Sequence, residues 1–150
     1  MSELNYRDAA ELIRNDLRLK TFPVAARFLK NKKDFPEKTR RPSISPGNRI
    51  AICQGVTMAR IYGWTVGLAK EDVICVPAAI AFGFSESAEP PASLARLFCE
   101  INFSRTDELA RKETASMHRF ENGEIEAVVL APLERTSFEP DTAIVYGNPA

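Results

Sequence analysis

Residues Ile125 to Leu133 read Ile-Glu-Ala-Val-Val-Leu-Ala-Pro-Leu. This run contains one charged residue and is otherwise apolar and rich in Val and Ala, which is typical of a buried strand. The preceding Asn122-Gly123 predicts a tight turn. A second run of the same kind, Thr142 to Tyr146, follows after a short connection. We therefore expect two strands in succession within a central sheet.

The remaining elements interleave helices with shorter strands. Strand character is found at Val24 to Leu29, Arg49 to Ile52, Trp64 to Leu68 and Asp72 to Val76. Helices are predicted at Tyr6 to Leu17 behind an Asn5 cap, at Gln54 to Tyr62 ending at Gly63, at Pro77 to Gly83, after a Ser93 cap, and from Thr106 or Asp107 to about Arg119. Lys30 to Arg49 and Glu86 to Pro91 read as loops. This order predicts a single α+β or mixed α/β domain, with a central sheet flanked by helices.

The end of the chain carries a turn signal. Gly147-Asn148-Pro149 follows a predicted strand, and only Ala150 comes after it. A turn without a following element favours the interpretation that residues 1–150 are a truncated portion of a longer chain.

Composition limits the classes of function. The chain has 150 residues, 45% of them hydrophobic and 27% charged, with 20 acidic and 20 basic side chains. This balance offers no argument for binding nucleic acid, and no apolar run is long enough to cross a membrane. The N-terminus lacks the apolar core of a signal peptide. Three widely spaced Cys do not suggest a disulfide framework, so we expect a reducing, cytoplasmic compartment.

Four short motifs resemble those of a known family. They are Phe22-Pro-Val-Ala-Ala-Arg-Phe28, Ile52-Cys-Gln-Gly55 followed by Ala59-Arg60, Glu71-Asp72 followed by Cys75 and the Ala-rich run to Phe82-Gly83, and Leu130 to Leu133 followed by Glu139-Pro-Asp141 and Tyr146 to Ala150. Together they resemble the prokaryotic family called domain of unknown function 169, in its N-terminal part, from Leu17 to Ala150. The resemblance implies a fold and two Cys positions, but no reaction. Val76-Pro77-Ala78 stands where the family usually has a Gly, which weakens a site role for Cys75.

Cys53 and Cys75 each lie where a predicted strand meets a predicted helix. Thiols at helix N-termini are more reactive because the helix dipole favours the thiolate. Ligands also favour the carboxyl ends of strands in such sheets. The two thiols are therefore expected to lie on one side of the sheet and contribute to one pocket, with Cys53 as the candidate catalytic residue. The alternative is that both are small core residues, because their neighbours are apolar.

Three further residues are candidate ligand-binding groups. Gln54 brings an amide to the first turn of its helix, where it either binds a ligand or caps the backbone. Tyr146 and Asn148 end the last predicted strand, where a loop can line a pocket or simply turn. The segment Lys30 to Arg49 holds seven basic residues, which could cover an anionic ligand or form an ordinary solvated loop.

A metal centre is not expected. Cys53 and Cys75 are widely separated, and Cys99 and His118 would have to join them to complete a ligand set. Cys99 follows the apolar residues Leu94, Leu97 and Phe98 of its predicted helix, which favours a packing role. No nucleotide-binding glycine motif occurs, so the cofactor, if any, stays unknown.

Three hypotheses of function follow. The first is a small-molecule or cofactor-binding domain with its pocket near Cys53 and Cys75. The second is an enzyme that uses Cys53 as nucleophile or redox thiol. The third is a structural or partner-binding subunit with inert cysteines. We expect a small-molecule ligand, neither a nucleic-acid nor a membrane partner, and we leave a homo-oligomer open.

Overall fold

The centre of the fold is a four-stranded antiparallel sheet. The computed structural model describes residues 5–85 and 90–147. Its strands are β1 (Val24–Leu29), β2 (Val66–Ala69), β3 (Ala127–Pro132) and β4 (Thr142–Ile144), in the order β2-β3-β1-β4. All six residues of β3 are buried, and Val129 lies opposite both Arg27 of β1 and Gly67 of β2. The prediction of a mixed α+β domain around a central sheet is confirmed.

Five helices surround this sheet in the described ranges. They are α1 (Tyr6–Asp16), α2 (Ile52–Tyr62), α3 (Val76–Ala81), α4 (Pro90–Glu100) and α5 (Asp107–Ser116), with short 3-10 turns at Lys32–Asp34, Lys70–Asp72 and Leu133–Arg135. The predicted caps at Asn5 and Thr106 are confirmed, because their side chains accept hydrogen bonds from backbone N–H groups of the first turn. The predicted cap at Ser93 is wrong. Helix α4 begins at Pro90, since proline is preorganised for a first helical turn.

The two faces of the sheet are covered differently. Alternate strand residues, including Val24, Leu68 and Leu130, face the main core beneath α2 and α3. The opposite face is covered by α1 and by the aromatic rings of Phe35 and Phe138. A separate small cluster joins α3, α4 and α5 through Ile80, Leu94, Ala95, Phe98 and Ala110.

Two glycines permit close contact with the sheet. An added Cβ at Gly55 of α2 would lie 2.9 Å from Cδ1 of Leu68 and 3.2 Å from Cδ1 of Leu130. On the other face, a Cβ at Gly67 would lie 2.6 Å from the Phe35 ring and 2.7 Å from Cγ2 of Thr39. Glycine at position 55 therefore lets α2 pack closely against one face of the sheet. Glycine at position 67 lets the 35–39 segment pack closely against the other face.

Two of the predicted strands do not form strands of the sheet. Arg49 to Ile52 and Asp72 to Val76 meet in one isolated parallel bridge, Ile50 with Val73. The Ile50 amide donates to the Asp72 carbonyl at 2.8 Å, and the Ile74 amide donates to the Ile50 carbonyl at 3.0 Å. The ladder stops there because α2 begins at Ile52 and α3 at Val76. The loop predicted at Glu86 to Pro91 falls largely on residues 86–89, outside the described ranges, and α4 occupies its end.

Candidate functional site

A cleft of about 650 Å³ lies between the 39–50 segment, the start of α2 and strand β2. This volume is within the range of small-molecule sites. The lining is mostly apolar and includes three arginines but no carboxylate: Thr39, Arg40, Arg41, Pro42, Ile44, Ser45, Pro46, Asn48, Arg49, Ile50, Gln54, Met58, Trp64 and Val66. The basic loop of the sequence thus forms one wall of a cleft and is not merely a solvated connection.

The buried carboxylate of Asp72 holds this wall in place. Asp72 has no exposed surface, and one of its oxygens accepts from Nε of Arg41 at 2.7 Å and from the Ala69 amide at 2.9 Å. Its other oxygen accepts from the amide of Ser43 at 3.0 Å and from the Ser43 hydroxyl at 2.5 Å. A buried carboxylate is tolerated only when it is satisfied in this way. Asp72 therefore anchors the 41–43 segment to the turn after β2.

Glu71 adds a second carboxylate to the same arginine. Its Oε1 lies 2.9 Å from Nη2 of Arg41 and 3.2 Å from Nζ of Lys32. Partial burial works against the charged form, but backbone hydrogen bonding and the two cations outweigh it and lower the pKa of Glu71 to about 2. Burial likewise opposes the charged form of Arg41, but the bonds to Asp72 and Glu71 raise its pKa. The charge of Arg41 is thus neutralised within the protein.

Two cations of the cleft, Arg40 and Arg49, lack a carboxylate partner among the described residues; the Arg49 guanidinium donates to the Val73 carbonyl, which leaves Arg40. The guanidinium carbon of Arg40 lies 4.1 Å from the centroid of the Trp64 ring, which is a cation–π contact. Its backbone is fixed to the edge of β2, because its amide donates to the Thr65 carbonyl and its carbonyl accepts from the Gly67 amide, both at 2.9 Å. Within the described residues Arg40 forms no ion pair. The structure therefore offers a positioned and unpaired guanidinium at the cleft.

Gln54 has a capping role at the cleft. Its Oε1 accepts from the Ala51 amide at 2.8 Å, at the N-terminus of α2. This is one of the two roles that the sequence left open for Gln54. Its amide nitrogen has no acceptor among the described residues, so the side chain can also donate to a ligand.

The cysteines do not line the cleft. Cys53 is the second residue of α2 and is exposed, whereas Cys75 immediately precedes α3 and is half-buried against the main core. Cys99 is half-buried and packs against the α3–α5 cluster. That Cys53 and Cys75 share a pocket stays a prediction. Among residues 5–85 and 90–147, no three potential ligands of the His, Cys, Asp or Glu type cluster tightly enough to hold a metal ion.

Tyr146 lies elsewhere, beside the C-terminal half of α2. It lines a separate depression of about 170 Å³, and the guanidinium carbon of Arg60 lies 4.1 Å from its ring centroid. The structure therefore does not bring Tyr146 into the cleft that Gln54 lines. Asn148 lies outside the described residues.

The sequence of the chain matches one family over almost its whole length. The match, to the family described as uncharacterised ArCR, domain of unknown function 169, covers residues 12–150. The chain belongs to this family. The match begins five residues before Leu17, where the sequence motifs had placed the start of the resemblance.

A relative of this DUF169 chain is the uncharacterized protein MJ0308 of Methanocaldococcus jannaschii. The two are 27% identical over 126 residues, which is 84% of this chain and 52% of the relative. The chain thus spans about half the length of that curated relative. No solved structure matches it. In the described parts of the chain, no helix combines the length and apolar character needed to cross a bilayer.

The DUF169 motifs occupy different parts of the structure. Gln54 reaches the cleft, Gly55 contacts the sheet, and Arg60 meets Tyr146 of the closing motif. Sequence reasoning missed the Arg40–Trp64 pair and the Arg60–Tyr146 pair, because both are contacts between segments separated in the chain. The signals that pointed toward them were the basic Lys30 to Arg49 loop and the Ala59-Arg60 motif.

Proposed function

We propose that this DUF169 chain binds a small organic anion with a flat apolar portion in the cleft between the 39–50 segment and α2. The observation that carries the proposal is the unpaired Arg40 guanidinium held over the Trp64 ring. Guanidinium groups pair with carboxylates and phosphates through two parallel hydrogen bonds. An anionic group at Arg40 would leave the rest of the ligand beside the apolar wall.

The remaining cleft residues support the same class of ligand. Met58 and Trp64 provide apolar contact, and Ile44, which is 73% exposed, stands at the rim. Gln54 offers an amide donor that has no acceptor among the described residues. Among the described residues no carboxylate lines the cleft itself, which favours an anionic over a cationic ligand. Sites of this kind combine apolar walls with a few polar groups that fix orientation.

Binding can be tested with matched probes. Trp64 is the sole tryptophan, so its indole N–H resonance reports directly on the cleft. Benzoate and phenyl phosphate should shift this resonance saturably, whereas neutral benzamide should not. Arg40→Gln should weaken phenyl phosphate binding by about tenfold, which is the value of one charged hydrogen-bonded pair.

Arg105→Gln, at an exposed arginine between α4 and α5, is the matched control and should bind like the wild type. Equal shifts with benzamide and benzoate, or unchanged affinity in Arg40→Gln, would overturn the proposal.

A second candidate function is thiol chemistry at Cys53. The observation that favours it is position: Cys53 is exposed in the first turn of α2 and directly precedes Gln54, which lines the cleft. If Cys53 acts on the cleft ligand, saturating phenyl phosphate should slow alkylation of Cys53 in the native protein. Alkylation at an unchanged rate would leave the binding function standing and remove the enzyme hypothesis for that thiol.

A further inference from the structure

The depression beside Tyr146 is a second cationic site, separate from the cleft. Its lining consists of Arg18, Leu19, Lys20, Thr21, Arg60, Tyr146 and Gly147. Three of these seven residues are basic and none is acidic. The depression forms where the turn after α1, the C-terminal half of α2 and the end of β4 meet. Its volume of about 170 Å³ suits a single small charged group rather than a whole cofactor.

The positive charge in this depression is not balanced by any of the residues that the structure describes. Within the described residues, none of Arg18, Lys20 and Arg60 forms an ion pair. Arg18 and Lys20 are exposed, and unpaired exposed cations are ordinary. Arg60 is different because it is half-buried, and desolvating a cation without a counter-charge is costly. The half-buried charge of Arg60, without a counter-charge among the described residues, therefore calls for an explanation.

The hydrogen bonding of Arg60 is incomplete as well. Its Nε is buried and has no acceptor among the described residues. The contact of its guanidinium with the Tyr146 ring stabilises the cation without supplying an oxygen acceptor. Buried N–H donors are almost always paired, so the Nε of Arg60 calls for an acceptor from solvent or a ligand.

We propose that this depression binds a phosphoryl group, held by Arg60, Lys20 and Arg18 beside the Tyr146 ring. A dianionic tetrahedral group matches a depression lined by three cations better than a carboxylate does, and guanidinium groups pair with phosphate through parallel bonds. The group can be free inorganic phosphate or the terminal phosphate of a small metabolite. The proposal is independent of ligand binding in the cleft, because no residue lines both sites.

The test is a titration of the full chain with sodium phosphate at constant ionic strength, followed by amide chemical shifts. Saturable shifts are expected at Lys20, Thr21 and Gly147 and not at the Trp64 indole. Glycerol phosphate in a parallel titration separates the sources: tighter binding than inorganic phosphate indicates a phosphorylated metabolite. Chloride alone should cause no saturable shift.

Variants of the residues that line the depression test which side chains bind phosphate. Arg60→Gln and Lys20→Gln should each weaken phosphate binding by about tenfold. Lys112→Gln, at an exposed lysine of α5, should bind like the wild type. If Arg60→Gln does not fold, the exposed Lys20 still decides the outcome. Absence of saturable shifts, or equal affinity in Lys20→Gln and Lys112→Gln, would overturn the proposal, whatever the cleft binds.

Discussion

Asp72 and Arg41 form an ion pair of 2.5 Å in which the carboxylate has no exposed surface and the arginine side chain is only 14% exposed. The carboxylate also accepts from backbone amides of two separate segments, at Ala69 and Ser43. The pair therefore joins the wall of the cleft to the edge of the sheet. Removing one partner of such a pair leaves the other partner as a buried charge without a counter-charge.

Asp72→Ala should lower the free energy of unfolding by about 3–5 kcal/mol, since it leaves the Nε of Arg41, the Ser43 hydroxyl and two amides without their acceptor. Chemical denaturation followed by circular dichroism measures this. Asp107→Ala is the comparison, because Asp107 pairs with Arg111 on an exposed helix face. That variant should cost less than about 1 kcal/mol. Similar losses for both would contradict the anchoring role of Asp72.

Glu71 should make the stability depend on pH in the acid range. Its pKa is about 2 in the folded protein against an ordinary value of 4.5, so unfolding takes up a proton below pH 4.5. The stabilisation from this group is complete above pH 4.5 and is lost as the pH falls toward 2. Wild-type protein should therefore lose more stability across this window than Glu71→Gln. Because Glu71 is 46% exposed, the difference should shrink at high salt.

Denaturation curves at several pH values measure this difference. Glu37→Gln, at an exposed glutamate of the 35–39 segment, should retain the wild-type pH dependence. If the free energy of unfolding fell equally with pH in wild type and Glu71→Gln, the ion pairs of Glu71 would contribute nothing to the pH dependence of stability.

Gly67→Ala should destabilise the protein by about 1–3 kcal/mol, because the added methyl group would overlap the Phe35 ring and Thr39. The thermal midpoint measures the loss. The same substitution in a Phe35→Ala background should cost clearly less, since one of the two obstructing groups has gone. An equal cost in both backgrounds would mean that the contact with Phe35 is not what requires glycine here.

The three cysteines should differ in their reaction with a thiol reagent. Cys53 is exposed, whereas Cys75 and Cys99 are half-buried against core clusters. Native protein near neutral pH should therefore show one fast-reacting thiol, which Cys53→Ser removes and Cys99→Ser leaves unchanged. Labelling with Ellman-type reagents measures the rates. A fast phase that survives in Cys53→Ser would assign reactivity to a different cysteine.

Local features of this fold were predictable because they depend on neighbouring residues. Strand β1 spans Val24–Leu29 as its β-branched and apolar composition indicated, and Asn5 and Thr106 cap their helices through bonds to amides two or three residues away. The extended segments at Ile50 and Val73 were predicted as strands for the same local reason. Tertiary structure shortened them, since a helix follows each within three residues.

The sites were less predictable because they are made by distant contacts. Gln54 was recognised as a candidate from its amide in an apolar turn, and it does line the cleft. Arg40 beside Trp64 could not be recognised, because the pairing follows from a single bridge between Arg40 and Val66 at the edge of β2. Likewise, Arg60 reaches Tyr146 only through the position of β4 next to β1. Periodicity and spacing carry no information about such pairings.

The strand order has a consequence for synthesis of the chain. Strand β3 is the third strand to leave the ribosome, yet it lies between β1 and β2 and pairs with both. The other neighbour of β1 is β4, which emerges later still. None of the strand pairings of this sheet can therefore form until residues 127–132 have been translated. Until then the emerging chain carries two apolar strands that lack their sheet partners, which exposes it to aggregation.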